Sequence, residues 1–387
     1  MKCSWTILGI VIIIVISNTN LSAQNLLITD YKVPVSSARS FSIDLNANYA
    51  TIGSELTTDK GNIGAVYKNF YESLPYAYSL DSVGAFSRNK GAKQLYNYNI
   101  DVEGQIKKYI WTTHDLFGSI KLHSAYFKDY DRPPTDLTVG LGCGRFVNVT
   151  PLAKAVRVED FFLSENLLYD DLPAPTMIQF GQVIERQSEF ESNYGSTYKV
   201  HWYEEMAKLI RASGMLKGEQ IDAIGILRMD DVLFRQKVSD RFYGWDATLG
   251  IKRELLTATK EQKAKSAADI TVRYSHPLGW RSQWNERLIA NSPMDKELFT
   301  KAYDLTIHSD FTYEMTNRID FALNHSAIIK REKRLTDFEH LFTNSLRISF
   351  VFYIENSVNL VTNMQLNKTS ETAITTNFVL ALNYRVF

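Results

Sequence analysis

Apolar and polar residues alternate one by one along much of this chain. Phe41, Ile43, Leu45, Ala47 and Tyr49 are apolar, and the residues between them are polar. Tyr96, Tyr98, Ile100, Val102 and Ile106 repeat the pattern, as do residues 303–311 and 319–325. Phe378, Leu380, Leu382, Tyr384 and Val386 share the last such face. Period-two alternation sends successive side chains to opposite faces of a strand, one toward an apolar medium and one toward a polar medium.

Fourteen strands are expected. Six fall near 39–51, 61–71, 75–88, 94–107, 115–128 and 135–149. Eight more fall near 240–254, 267–275, 280–291, 299–313, 317–328, 341–354, 357–368 and 374–387. Runs of about ten residues between turn signals suit a transmembrane strand. A soluble sandwich also alternates, in shorter strands. Tyr, Phe and Trp are dense near the run ends, in a chain with 21 Tyr and 21 Phe, as interfacial girdles require. Beyond the N-terminus, no stretch approaches the roughly 20 apolar residues of a membrane helix. A closed barrel is the other structure that satisfies every backbone group in lipid. The expected fold class is therefore all-β, an antiparallel transmembrane β-barrel of about 14 strands.

Residues 150–239 interrupt the alternation with helical spacing. Thr150 and Pro151 resemble an N-cap followed by a first-turn proline. Pro173 and Pro175 are expected to end that unit. Helices are expected again near 177–187, at 202–212 closed by Gly214, and at 219–237. The chain thus divides into 1–23, barrel strands 1–6 over 24–149, a helical insert over 150–239, and barrel strands 7–14 over 240–387. The turns at 276–279, 314–317 and 355–356 are short, whereas 255–266, 292–298, 329–340 and 369–373 are longer or more charged. Barrels of this kind have short periplasmic turns and longer external loops. An even strand count then puts both termini and the insert on the periplasmic side.

Lys2, an apolar run at 7–16 and small residues before Gln24 read as a secretory signal peptide cleaved after Ala23. Its removal leaves 42 basic and 43 acidic side chains, a balance that gives no reason to expect a nucleic-acid partner. Only Cys143 remains, so no intrachain disulfide forms; it falls within an alternating strand and reads as a small space-filler.

The leader, the alternating strands and a final strand ending in Phe387 together resemble Gram-negative outer-membrane β-barrel proteins as a class. The resemblance implies residence in the outer-membrane lipid and recognition of the C-terminal strand by the barrel-assembly machinery. One departure stands out. The position two before the terminal aromatic is Arg385, and Tyr384 lies on the opposite parity to Phe387.

The polar parity would line the lumen. Its chosen candidates are Asp101, Glu103, Lys121, Asp246, Lys252, Asp304, His308, Asp310 and Arg347. Asp44, Asp81, Lys107, His123, Arg273, Asp320 and Arg385 share it. Both signs are present, which fits either a hydrated passage for small polar solutes or a salt-bridged interior that fills itself. Ser275-His276 and His308-Ser309-Asp310 are the close Ser/His/acid groupings, without a recognisable nucleophile motif, so no enzyme is expected. His201 and Glu205 stand four apart on a helix, a spacing also ordinary for a solvated face, and no metal or cofactor is expected. Gly140, Gly142 and Gly144 alternate within a strand, where small residues permit close packing. The function expected is a channel or transporter for small polar solutes. The alternative is an outer-membrane anchor whose helical segment docks a periplasmic protein or the cell wall.

Overall fold

The computed structural model describes residues 26, 28–31, 35–52, 55–89, 95–111, 115–236, 238–294, 298–316, 318–334, 337–355 and 358–384. The leader over 1–23 and the terminal Phe387 lie outside them. One antiparallel sheet of fourteen strands runs in sequence order. Before the helices come β1 (Val35–Ile52), β2 (Glu55–Ser73), β3 (Tyr76–Asn89), β4 (Tyr96–Trp111), β5 (Leu116–Phe127) and β6 (Thr135–Asn148). After them come β7 (Phe242–Leu256), β8 (Ser266–His276), β9 (Ser282–Pro293), β10 (Tyr303–Thr316), β11 (Ile319–Arg334), β12 (Asp337–Glu355), β13 (Val358–Thr369) and β14 (Thr375–Tyr384). Among the described residues no pairing joins β14 to β1, so the sheet is open along that edge.

The expected long connection at 329–340 is absent. β11 and β12 stay paired from Ile319↔Phe352 out to Arg334↔Asp337. Charged residues there, such as Glu332 opposite Glu339, continue the ladder. Backbone pairing holds a strand beyond its apolar stretch, so charge alone does not mark a turn.

The two faces of the sheet have inverted polarity compared with a water-soluble fold. On one face Ile106, Leu141, Leu249 and Phe378 are each more than 60% exposed. On the other Lys107, Thr138, Asp246 and Asp269 are at most 5% exposed. The buried face is also strongly concave. β4 and β9 are five strand spacings apart, about 24 Å in a flat sheet, yet Arg287 reaches Glu103 at 3.1 Å. The side chain of Asn148 at the end of β6 likewise donates to the Ser37 carbonyl of β1, at 2.7 Å.

Among the described residues between β6 and β7 lie five α-helices, α1 (Thr150–Ser164), α2 (Ala174–Glu185), α3 (Gln187–Tyr194), α4 (Tyr198–Ala212) and α5 (Ala223–Asp230), with a 3-10 turn at Gly195–Thr197 and a π-helical turn at Asp231–Arg235. The largest apolar core of the described residues is here. Leu152, Phe162, Phe180, Trp202, Met206 and Ile210 are fully buried in it. Each such side chain contributes about 1.5–3 kcal/mol through burial. Glu159, also fully buried, accepts from the Leu172 N–H at 2.6 Å. Two cap expectations change. The first helix begins at Thr150 itself, and the Thr150 hydroxyl bonds Asn148 and accepts from the Arg241 N–H. Pro173 and Pro175 open α2 instead of closing α1, because a first-turn proline has no N–H to leave unsatisfied. The last helix starts later than expected, at Ala223, where Asp222 caps it by accepting from the Gly225 N–H at 2.8 Å. No helix of the described residues is long and apolar enough to cross a membrane.

The helical unit sits on one end of the sheet. Val147, Tyr243 and Trp280 pack against its core. Arg157 of α1 pairs with Glu314 near the end of β10, and Arg241 pairs with the same carboxylate at 2.8 Å. These contacts all fall at the end where even strands finish and odd strands begin.

Candidate functional site

Strand alternation brings the odd residues of β4 and β5 and the even residues of β7 onto the concave face. Register then decides which of them meet. Asp246 stands beside Arg273 of β8 in the ladder and receives Arg273 Nε at 2.8 Å. Lys107 reaches the same carboxylate from across the concavity at 2.6 Å. Lys121 lies 3.7 Å from Asp269, and Glu103 accepts from Arg287. Nearby, Tyr109 donates to the buried Glu72 and touches the Gly144 carbonyl. Toward the other rim, His123 Nε2 bonds Asp101 at 2.9 Å, and Asp136 lies within 4.0 Å of both His123 and Lys252.

These residues form one paired wall. Glu103, Ser119, Lys121, Asp269, Arg273 and Arg287 surround a cavity of about 10 Å³, close to the room one water needs. Desolvated charges persist only when paired and hydrogen-bonded, and here acid and base alternate across the gap. Between β4 and β9 the concave face is therefore closed by its own side chains.

Five of the nine chosen candidates, Asp101, Glu103, Lys121, Asp246 and Lys252, meet in this network. The other four lie elsewhere on the concave face. Asp304 is 3.8 Å from Lys330. His308 stands opposite Arg287 and Ser326. Asp310 accepts from Asn324 at 2.7 Å, and Arg347 donates to Gln365 at 3.4 Å. Of the wider parity set, Asp81 stands opposite Lys68 and Glu103, and Asp320 accepts from the Tyr353 hydroxyl. The side chain of Asp44 and all of Arg385 lie outside the described residues.

Sequence reasoning missed Asp269, Arg287 and Glu314. Asp269 shares parity with Arg273 and was readable from it. Arg287 lies in a strand whose alternation is blurred by Asn285, Glu286 and Arg287 in succession. Glu314 falls in the turn expected at 314–317, whereas β10 runs on to Thr316.

The groupings weighed for catalysis or metal binding come apart. Ser309 faces away from His308 and Asp310 and donates instead to Glu286 at 2.7 Å. His276 stacks on Tyr274, with ring centroids 6.2 Å apart. His201 rests on the Tyr194 ring at 4.0 Å, while Glu205 lies 3.6 Å from Lys208. The glycines of β6 do pack closely. A Cβ on Gly142 would lie 2.5 Å from the Ala247 carbonyl and 2.6 Å from the Phe117 ring. No family model matches this chain, and no curated protein matches it closely enough to count as a relative.

Proposed function

We propose that this chain is an outer-membrane β-barrel, formed when β14 meets β1, that passes small polar solutes along its polar interior. The observation that carries this reading is the inverted polarity of the sheet. A face with Ile106, Leu141, Leu249 and Phe378 exposed suits a surrounding hydrocarbon layer, and such extended apolar exposure is costly in water. A buried face of charges and hydroxyls suits a barrel lumen. The paired wall on β4–β9 and the helical unit at one end narrow the interior in the described conformation. Conduction then requires the wall to part or a path along the remaining inner face.

Purified protein in planar bilayers should give discrete conductance steps. A protein that stays ion-tight at all voltages would exclude passage. A second reading, a membrane anchor with a docking unit, draws support from a different observation. The largest apolar core lies in the helices, and a pore has no need of so well-packed a unit. Replacing residues 152–237 by a short turn separates the two. Raised conductance identifies a cap on a passage. Silent membranes in both forms, with a specific periplasmic partner lost on deletion, identify an anchor.

A further inference from the structure

The concave face has two dissimilar halves. Across β4–β9 its charges meet partners from distant strands around a cavity of about one water's size. Across β10–β13 the hydrogen bonds on this face run mainly between neighbouring strands, as from Asn324 to Asp310 and from Arg347 to Gln365. Ladder register aligns one continuous row there. Asn285 stands opposite Asp310, Asp310 opposite Asn324, Asn324 opposite Arg347, Arg347 opposite Gln365, and Gln365 opposite Asn377. Asn285 is two residues from Arg287, so the row shares the face that reaches Glu103.

The chemistry of this row is distinctive. It holds four primary amides, one carboxylate and one guanidinium, so its net charge is zero. The rows beside it add hydroxyls and amides, with Ser326 and Ser345 on one side and Ser349 and Asn363 on the other. Each amide offers two N–H donors and an accepting oxygen, and carboxylate and guanidinium offer paired acceptors and paired donors. Unlike Lys107 and Asp246, the row is accessible, with Arg347 and Asn377 exposed and the other four half-buried.

We propose that this belt on β9–β14 binds neutral polyhydroxylated solutes, with vicinal hydroxyls bridging adjacent amide, carboxylate and guanidinium groups. The proposal rests on the reading of the interior as a passage, and it names the solute class that the passage favours. A charged solute would meet one like charge for each unlike one. A neutral solute rich in hydroxyls matches donors and acceptors at every strand.

Sucrose is a suitable probe, and trialanine, smaller and without hydroxyls, is its control. Protein in an amine-oxide detergent should show saturation transfer to sucrose and none to trialanine. Liposomes carrying the protein should swell faster in sucrose than in trialanine, the reverse of simple sieving by size. Asn324→Leu with Gln365→Leu should lower the sucrose rate at least threefold and remove the saturation transfer to sucrose. The comparison of the two solutes on unaltered protein holds even where that variant fails to fold. Faster entry of trialanine, without saturation transfer to sucrose, overturns the belt and leaves the passage. Saturation transfer to sucrose with no solute crossing overturns the passage and leaves the belt as a binding site. Neither binding nor crossing overturns both.

Discussion

Asp246 is the residue on which the closed wall depends most. Its carboxylate is 1% exposed and receives both Lys107 and Arg273. Lys107 is itself buried and has the Phe117 ring 4.6 Å from its ammonium. A buried ion pair adds little over well-packed apolar side chains, but removing one partner strands the other in a poorly solvated place. Asp246→Ala should therefore destabilise the folded protein by on the order of 3–5 kcal/mol, read as a lower urea midpoint in detergent. Pairing it with Lys107→Met should recover part of the loss, because the stranded ammonium is gone. An Asp246→Ala protein that unfolds at the unaltered midpoint would show that the cluster is solvated and the wall is not closed. The same accounting explains why parity alone found this residue but not its weight. Alternation says which face a side chain takes, while the Lys107 contact joins residues 139 positions apart.

At the scale of elements, a short N-terminal segment is tied to the helical unit. Tyr31 is fully buried, its hydroxyl donates to Glu185 of α2 at 3.1 Å, and its carbonyl accepts from the Tyr243 hydroxyl. A Cβ on Gly181 would lie 2.9 Å from the Tyr31 ring, so the slot exists because α2 has glycine there. Burial pushes the Glu185 carboxyl up from an ordinary 4.5 to about 7, and the Tyr31 hydrogen bond offsets only part of this. The folded state thus holds a proton between pH 4.5 and 7 that the unfolded chain releases. Stability from this group is complete below pH 4.5 and lost as pH rises through about 7. Glu185→Gln should flatten that stretch of the melting-temperature profile and melt higher than the unaltered protein above pH 7. Parallel profiles for the two proteins would mean that Glu185 is solvated. Strand periodicity made the elements on either side of the insert legible, including all fourteen strands. The Tyr31 slot was not legible, since it joins residues 154 apart and no local pattern encodes such a contact. The proline reading failed for a related reason, because a proline between two helices marks a boundary without saying which helix it serves.

For the whole molecule, the proposed barrel has a definite sidedness. The helical unit, the N-terminal segment and the short even-to-odd turns gather at one end. At the other end lies the 257–265 connection, where Lys260, Lys263 and Lys265 are exposed. Arg132 holds the base of that connection through the Thr257 carbonyl and hydroxyl, both at 2.7 Å, and leaves its lysines accessible. The helical unit also offers trypsin exposed basic residues, among them Lys208. The proposed orientation puts the short turns in the periplasm, so trypsin added to intact cells should cut within 260–265 and spare Lys208. After the outer membrane is permeabilised, both regions become accessible, although helical backbone resists cleavage more than a loop does. First cleavage at Lys208 on intact cells would invert the orientation and place the helices outside. Full protection of both sites on intact cells, followed by cleavage of both on permeabilisation, would remove the chain from the cell surface. The two cut sites therefore test sidedness and location together, on the protein as the cell makes it.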